Sequence, residues 1–137
     1  METHFDLSDT AFEQMFESCK LDPTVFSHEA HLRLAWIHIM KYGLEQAEEN
    51  IQVQLKNFVK FVGATDKYHE TLTIVAVRVV HHFIQQSKAN NFKDFIAEFP
   101  QLKSEFKRLI NSHYSINIFS SQQAKTEFIK PDLISFD

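Results

Sequence analysis

Apolar residues recur along most of this chain at spacings of three and four, the period of an α-helix buried on one side. Over residues 8–20, Phe12, Met15, Phe16 and Cys19 form one stripe, and Ser8 and Asp9 stand where an N-cap is needed. Asp22-Pro23 breaks the pattern. Ser27 then caps a second helix, with Phe26 before it as a hydrophobic staple. Residues 28–40 are apolar over most of the helical circumference, and only Glu29 and Arg33 mark a wet side, so this helix is expected at the centre of the fold. Gly43 stops it. A third helix over 44–62 opens with Glu45, Glu48 and Glu49, which suit the positive end of the helix dipole. Its core stripe is Ile51, Leu55, Phe58, Val59 and Val62, and Gly63 is placed to be its C′ residue.

The segment 68–86 is ambiguous, because 71–80 is rich in β-branched residues and reads equally as a strand. Its length exceeds a typical strand, and a lone strand would have no partner, so helix is the expectation. On that projection His69, Leu72, Thr73, Ala76, Val80 and Phe83 share a face. Asn91 caps a short helix over 92–99. Pro100 kinks or restarts it, and Leu102, Phe106, Leu109 and Ile110 carry the stripe to about 111. Ser120 or Ser121 caps a last short helix ending by 128, and the residues after Pro131 read as a docked tail. Together these elements predict an all-α fold, a compact bundle of five to six helices forming a single domain over 1–137. Two Gly and three Pro are too few for the turns of an all-β fold.

Composition narrows the function classes. A net charge of −4 and scattered Lys and Arg argue against nucleic acid as a partner; only Lys103, Lys107 and Arg108 sit close together, and a solvated helix face accounts for them. No apolar run is long enough to span a bilayer, so no membrane partner is expected. A single cysteine, Cys19, allows no internal disulfide, and the acidic start of the chain has no apolar signal core; the expected location is the reducing cytoplasm. Fourteen Phe are many for this length and leave room for a homodimer.

Eight histidines carry the chemical hypothesis. Taken singly, His4, His38, His81 and His82 read as structural residues. Short connections at Gly43 and Gly63 would set the second and fourth helices parallel, with their N-termini at one end of the bundle. There His28, His31, His69 and Glu70 would meet, joined by His113 from the returning fifth segment and by Cys19 nearby. His28 and His31 are three apart, on one face of one turn. The expectation is a metal-dependent enzyme of hydrolytic or oxygen chemistry acting on a small molecule. A divalent transition metal (zinc, iron or manganese) would be held by His28, His31 and His69, with His113 an outlying ligand. Glu70 would be the catalytic base or a fourth ligand. Tyr68, Thr73 and Tyr114 would bind the ligand. H-x-x-H is a weak motif, and it is not H-E-x-x-H. The alternative is a non-catalytic binding or regulatory domain that holds a small anionic ligand at the paired helix N-termini, with Arg33 and Ser115 contributing and Trp36 as a wall. A third arrangement is a buried hydrogen-bond network in which His69 bonds a backbone carbonyl. Cys19, Ser120 and Ser121 lack the surroundings of nucleophiles. Asp132 is expected in a turn after Pro131 rather than as a carboxylate ligand.

Overall fold

The computed structural model describes residues 3–136. Among them it places eight α-helices, five of at least seven residues, and no strand, so the fold is all-α as the periodicity predicts. No helix of the described residues is long and apolar enough to cross a membrane. Internal packing divides the chain into two compact units, Met1–Tyr68 and His69–Asp137.

The first unit holds α1 (Asp9–Glu17), α2 (His28–Tyr42) and α3 (Leu44–Phe61), with short 3-10 turns at His4–Asp6, Pro23–Val25 and Thr65–Lys67. Three caps follow directly from sequence chemistry. Ser8 Oγ accepts from Ala11 N and Ser27 Oγ from Ala30 N, each relieving an orphan N–H of the first turn. Gly43, at φ 86°, ends α2 and admits α3 at once. α2 packs chiefly against α3. The core is aromatic: Phe16 stacks on Phe58 at 4.8 Å between centroids, and Phe26 joins both at 4.7 and 5.5 Å.

Two expectations change here. The stripe of 8–20 does not stay helical to Lys20. α1 stops at Glu17, and Cys19 takes the left-handed conformation at φ 61°. The Lys20 and Cys19 amides donate to the Met15 and Phe16 carbonyls, at 2.8 and 3.0 Å, which is a Schellman ending. Gly63 plays the same part after α3, where Ala64 N reaches the Val59 carbonyl at 2.7 Å. A cysteine is a strained occupant of a position that glycine fills freely. Cys19→Gly is therefore expected to raise stability by about 0.5–1 kcal/mol, as a higher urea midpoint at unchanged slope. A lower midpoint would mean that the thiol packs better than the backbone fits.

The second correction concerns Arg33. It is not on a wet side but 5 % exposed, turned inward beneath the N-terminal turn.

The second unit holds α4 (Glu70–Ile84), α5 (Phe92–Glu98), α6 (Gln101–Ser104), α7 (Phe106–Asn111) and α8 (Gln122–Thr126). The β-branched segment is helical. Thr71, Thr73, Ile74, Val75, Ala76, Val77, Val79 and Val80 are all buried, a wider apolar surface than the single stripe expected. Branched side chains lose some helix propensity, and burial on this scale outweighs the loss. Asn91 and Ser121 cap α5 and α8 as expected. Pro100 keeps Phe99 out of the helical region, at φ −127° and ψ 67°, and α5 ends at Glu98. The last segment is fastened down. Thr71 Oγ1 donates to the Glu127 carbonyl at 2.8 Å and accepts from Ile129 N at 3.0 Å. Leu133 N donates to the His113 carbonyl at 3.0 Å. Asp132 accepts from both the backbone N–H and the hydroxyl of Ser115, which holds its carboxyl below the usual range.

Candidate functional site

The sequence candidates fall in both units. His28, His31 and Tyr68 belong to the first, and His69, Glu70, Thr73, His113 and Tyr114 to the second. Among the described residues, no group of three or more His, Cys, Asp or Glu side chains is placed to hold a metal ion.

Local geometry gives several of these residues structural work. His31 is the fourth residue of α2, and its ring lies 5.5 Å from that of Phe26, the residue before the cap. This is the hydrophobic staple, with imidazole as the inner half. Its Nε2 is out of solvent and has no hydrogen-bond partner among the described residues. Burial, seconded by the charge of His28, lowers its pKa from 6.5 to about 4.

His69 is the N-cap of α4. Its Nδ1 accepts from Leu72 N at 3.0 Å, which leaves the ring proton on Nε2, and Nε2 donates to the Ile118 carbonyl at 2.9 Å. Both nitrogens are engaged, so this ring does not fit the role of a metal ligand. Thr73 closes the same turn by donating to the His69 carbonyl at 2.6 Å. Tyr114 donates to the Ile129 carbonyl at 2.7 Å, and burial drives its pKa up to about 12. Tyr68 lies under the Lys56 ammonium, 5.3 Å from its ring centroid. Glu70 opens the first turn of α4.

His69→Ala is accordingly expected to lower stability by about 2 kcal/mol, the joint loss of a cap and a bond to the carbonyl of buried Ile118. His69→Asn, which can still cap, should recover about half. Chemical denaturation measures both; a His69→Ala variant of unchanged stability would remove the cap role.

Sequence reasoning missed two clusters in the first unit. Arg33 donates to the carbonyls of His4 and Leu7 and to Asp9 Oδ1, and its guanidinium lies 5.0 Å from the Phe12 centroid. Its Nη1 also faces His4 Nδ1 at 3.3 Å. Arginine only donates, so His4 carries its proton on Nε2 and donates it to Glu29 at 2.8 Å. The second cluster centres on buried Glu13, which accepts from Lys41 at 2.9 Å and from Tyr42 at 2.6 Å. Burial alone would raise its pKa; the Tyr42 and Lys41 bonds overcome this and lower it. The one available signal for the first cluster was an arginine inside an otherwise apolar helix.

The second unit contains a cleft of about 230 Å³. Val79, His82 and Phe83 from the end of α4, Leu109 from α7, and Ile134 and Phe136 from the last segment line it, together with His113 and Ser135. His113 fixes the mouth. Its Nδ1 donates to the Ile134 carbonyl at 2.7 Å, and its ring stacks on Phe136 at 4.0 Å with 22° between planes. Its place here brings it beside His82, which reads as structural in the sequence. Neither Lys, Arg nor a carboxylate is among the described residues that line the cleft. Among the described residues, no hydrogen bond joins His82, His113 and Ser135 to one another, so they do not form a base–nucleophile relay.

Compared with protein-family models, curated proteins and solved structures, the chain matches none.

Proposed function

We propose that the chain is a non-catalytic binding domain that holds a small, largely apolar molecule in the cleft of its second unit. The observation that carries this reading is the cleft itself: five apolar side chains converge on one concavity, with two imidazoles and a hydroxyl at intervals. That is the usual make-up of a small-molecule site, a greasy wall with a few polar groups that orient the guest. An apolar cavity of roughly 150 Å³ accepts benzene. At about 230 Å³ this one suits about eight to ten non-hydrogen atoms. The reading takes up the binding-domain class that stood as the alternative in the sequence and replaces its small anion, because the lining supplies no fixed positive charge.

Toluene and p-cresol, titrated into the protein, are expected to shift amide resonances of Val79, Phe83, Leu109 and Phe136 with Kd on the order of 0.1–1 mM. Leu109→Trp, which fills the cleft, should abolish the shifts while helicity is retained. Shifts scattered over the chain, or no saturable shifts, would sink the reading.

One observation favours the competing metal-dependent class: the unpartnered Nε2 of His31 sits one turn from His28. Metal content decides it. Protein isolated without chelator that holds no stoichiometric zinc, iron or manganese, and gains no thermal stability when they are added, ends that reading.

A further inference from the structure

We infer that the cleft selects a neutral aromatic guest carrying one hydroxyl or N–H, which donates its proton to Nε2 of His113. This rests on the cleft being a ligand site and adds the chemical class of the ligand.

A carbonyl oxygen can only accept, so the 2.7 Å contact between His113 Nδ1 and the Ile134 carbonyl places the ring proton on Nδ1. In the neutral ring Nε2 is then a lone-pair acceptor, and the hydrogen bond of the ring among the described residues is made by Nδ1. The tautomer is fixed by the fold before any ligand arrives, as second partners commonly fix the free nitrogen of an imidazole. A guest that meets this nitrogen must bring a hydrogen. An acceptor-only guest would face lone pair against lone pair.

The second imidazole points the same way. With the Gln86 amide donating to His82 Nε2 at 2.9 Å, His82 keeps its proton on Nδ1. The lining thus offers one fixed acceptor, one N–H and the Ser135 hydroxyl, but no permanent charge. A carboxylate or phosphate would lose its hydration without gaining a cation, and an ammonium would meet no anion. The body of the guest is set by the walls. Phe83 and Phe136 are among the lining residues, and Phe136 is stacked against His113. Flat aromatic guests match such walls better than branched aliphatic ones. A cavity of about 230 Å³ takes a phenol or indole but not a nucleotide or a peptide.

The test compares p-cresol, indole, toluene and p-toluate on the intact chain by NMR titration, with His113→Asn alongside. Asparagine can still donate from the position of Nδ1 but has nothing at the position of Nε2. p-Cresol and indole are expected to bind about tenfold more tightly than toluene, the worth of one satisfied hydrogen bond. His113→Asn should remove that advantage, so that p-cresol and toluene bind the variant equally well. A long-range imidazole nitrogen spectrum of the unmodified protein should show His113 protonated on Nδ1, with its Nε2 resonance moving when p-cresol is added. If toluene binds as well as p-cresol, or p-toluate binds better, the donor requirement is overturned while the cleft reading stands. An Nε2–H tautomer for His113 overturns it without any variant. If none of the four compounds binds, both readings fall.

Discussion

Arg33→Met should destabilise the folded chain by about 3–4 kcal/mol, the largest single effect expected from any polar residue of the first unit. Methionine preserves the volume and the contact with Phe12, so the loss isolates the guanidinium. Without it the part-buried Leu7 carbonyl loses its side-chain donor, and the buried His4 carbonyl keeps only the Leu7 amide, at 3.2 Å. The bond to Asp9 contributes far less. Asp9 is half exposed, so its ion pair with Arg33 is screened, and Asp9→Asn should cost under about 1 kcal/mol. Urea denaturation of the two variants is the measurement. Equal losses would mean that the ion pair, not the carbonyl bonds, holds the turn.

Acid is expected to weaken the protein well above the range where carboxylates titrate, and His31 is the reason. Its folded pKa of about 4 lies below the ordinary 6.5 because burial, and then His28, disfavour the charged ring. Above pH 6.5 neither the folded nor the unfolded chain protonates it, and it contributes nothing to the slope. Below 6.5 the unfolded chain takes up a proton that the folded one refuses, so stability falls with pH until about pH 4. The difference amounts to about 3 kcal/mol across that window. His38, fully buried and also lowered by burial, acts in the same direction. Glu13 follows at lower pH, where protonation removes the carboxylate that Tyr42 and Lys41 hold. His31→Leu should flatten the profile between pH 6.5 and 4. It should cost little at pH 7.5, since leucine keeps the staple on Phe26 and removes an unpartnered nitrogen. Stability curves at half-unit pH steps test this; a variant with the parent slope would assign the acid sensitivity elsewhere.

What the sequence disclosed well is what local chemistry decides. Ser8, Ser27, Asn91 and Ser121 cap helices, and Gly43 and Gly63 end them, because each acts on backbone groups within a turn of itself. The helical state of 70–84 was legible for a less direct reason: a lone strand has no partner. The direction in which a side chain points was not legible. Arg33 reads as wet because arginine usually is, and only the carbonyls of a turn more than twenty residues earlier draw it inward. His31 and His69 were recognised as special, yet spacing cannot separate a ligand from a staple or a cap. That depends on whether a nitrogen meets an ion, Phe26, or the Ile118 carbonyl. The cleft was beyond reach of any pattern. It forms when α4, the turn after α7 and the last segment meet, and no periodicity encodes that meeting.

The fastening of the last segment onto α4 sets a clock on the birth of the second unit. Thr71 closes its side-chain bonds only with Glu127 and Ile129, 56 and 58 residues further on. At about 5–20 residues per second, synthesis leaves the most apolar helix of the chain waiting roughly 3–12 seconds for these partners. Through that interval a run of Ile and Val with high aggregation propensity depends on other cover. A nascent chain arrested before residue 127 is thus where chaperone demand should peak, and emergence of Glu127 and Ile129 is the event that ends it.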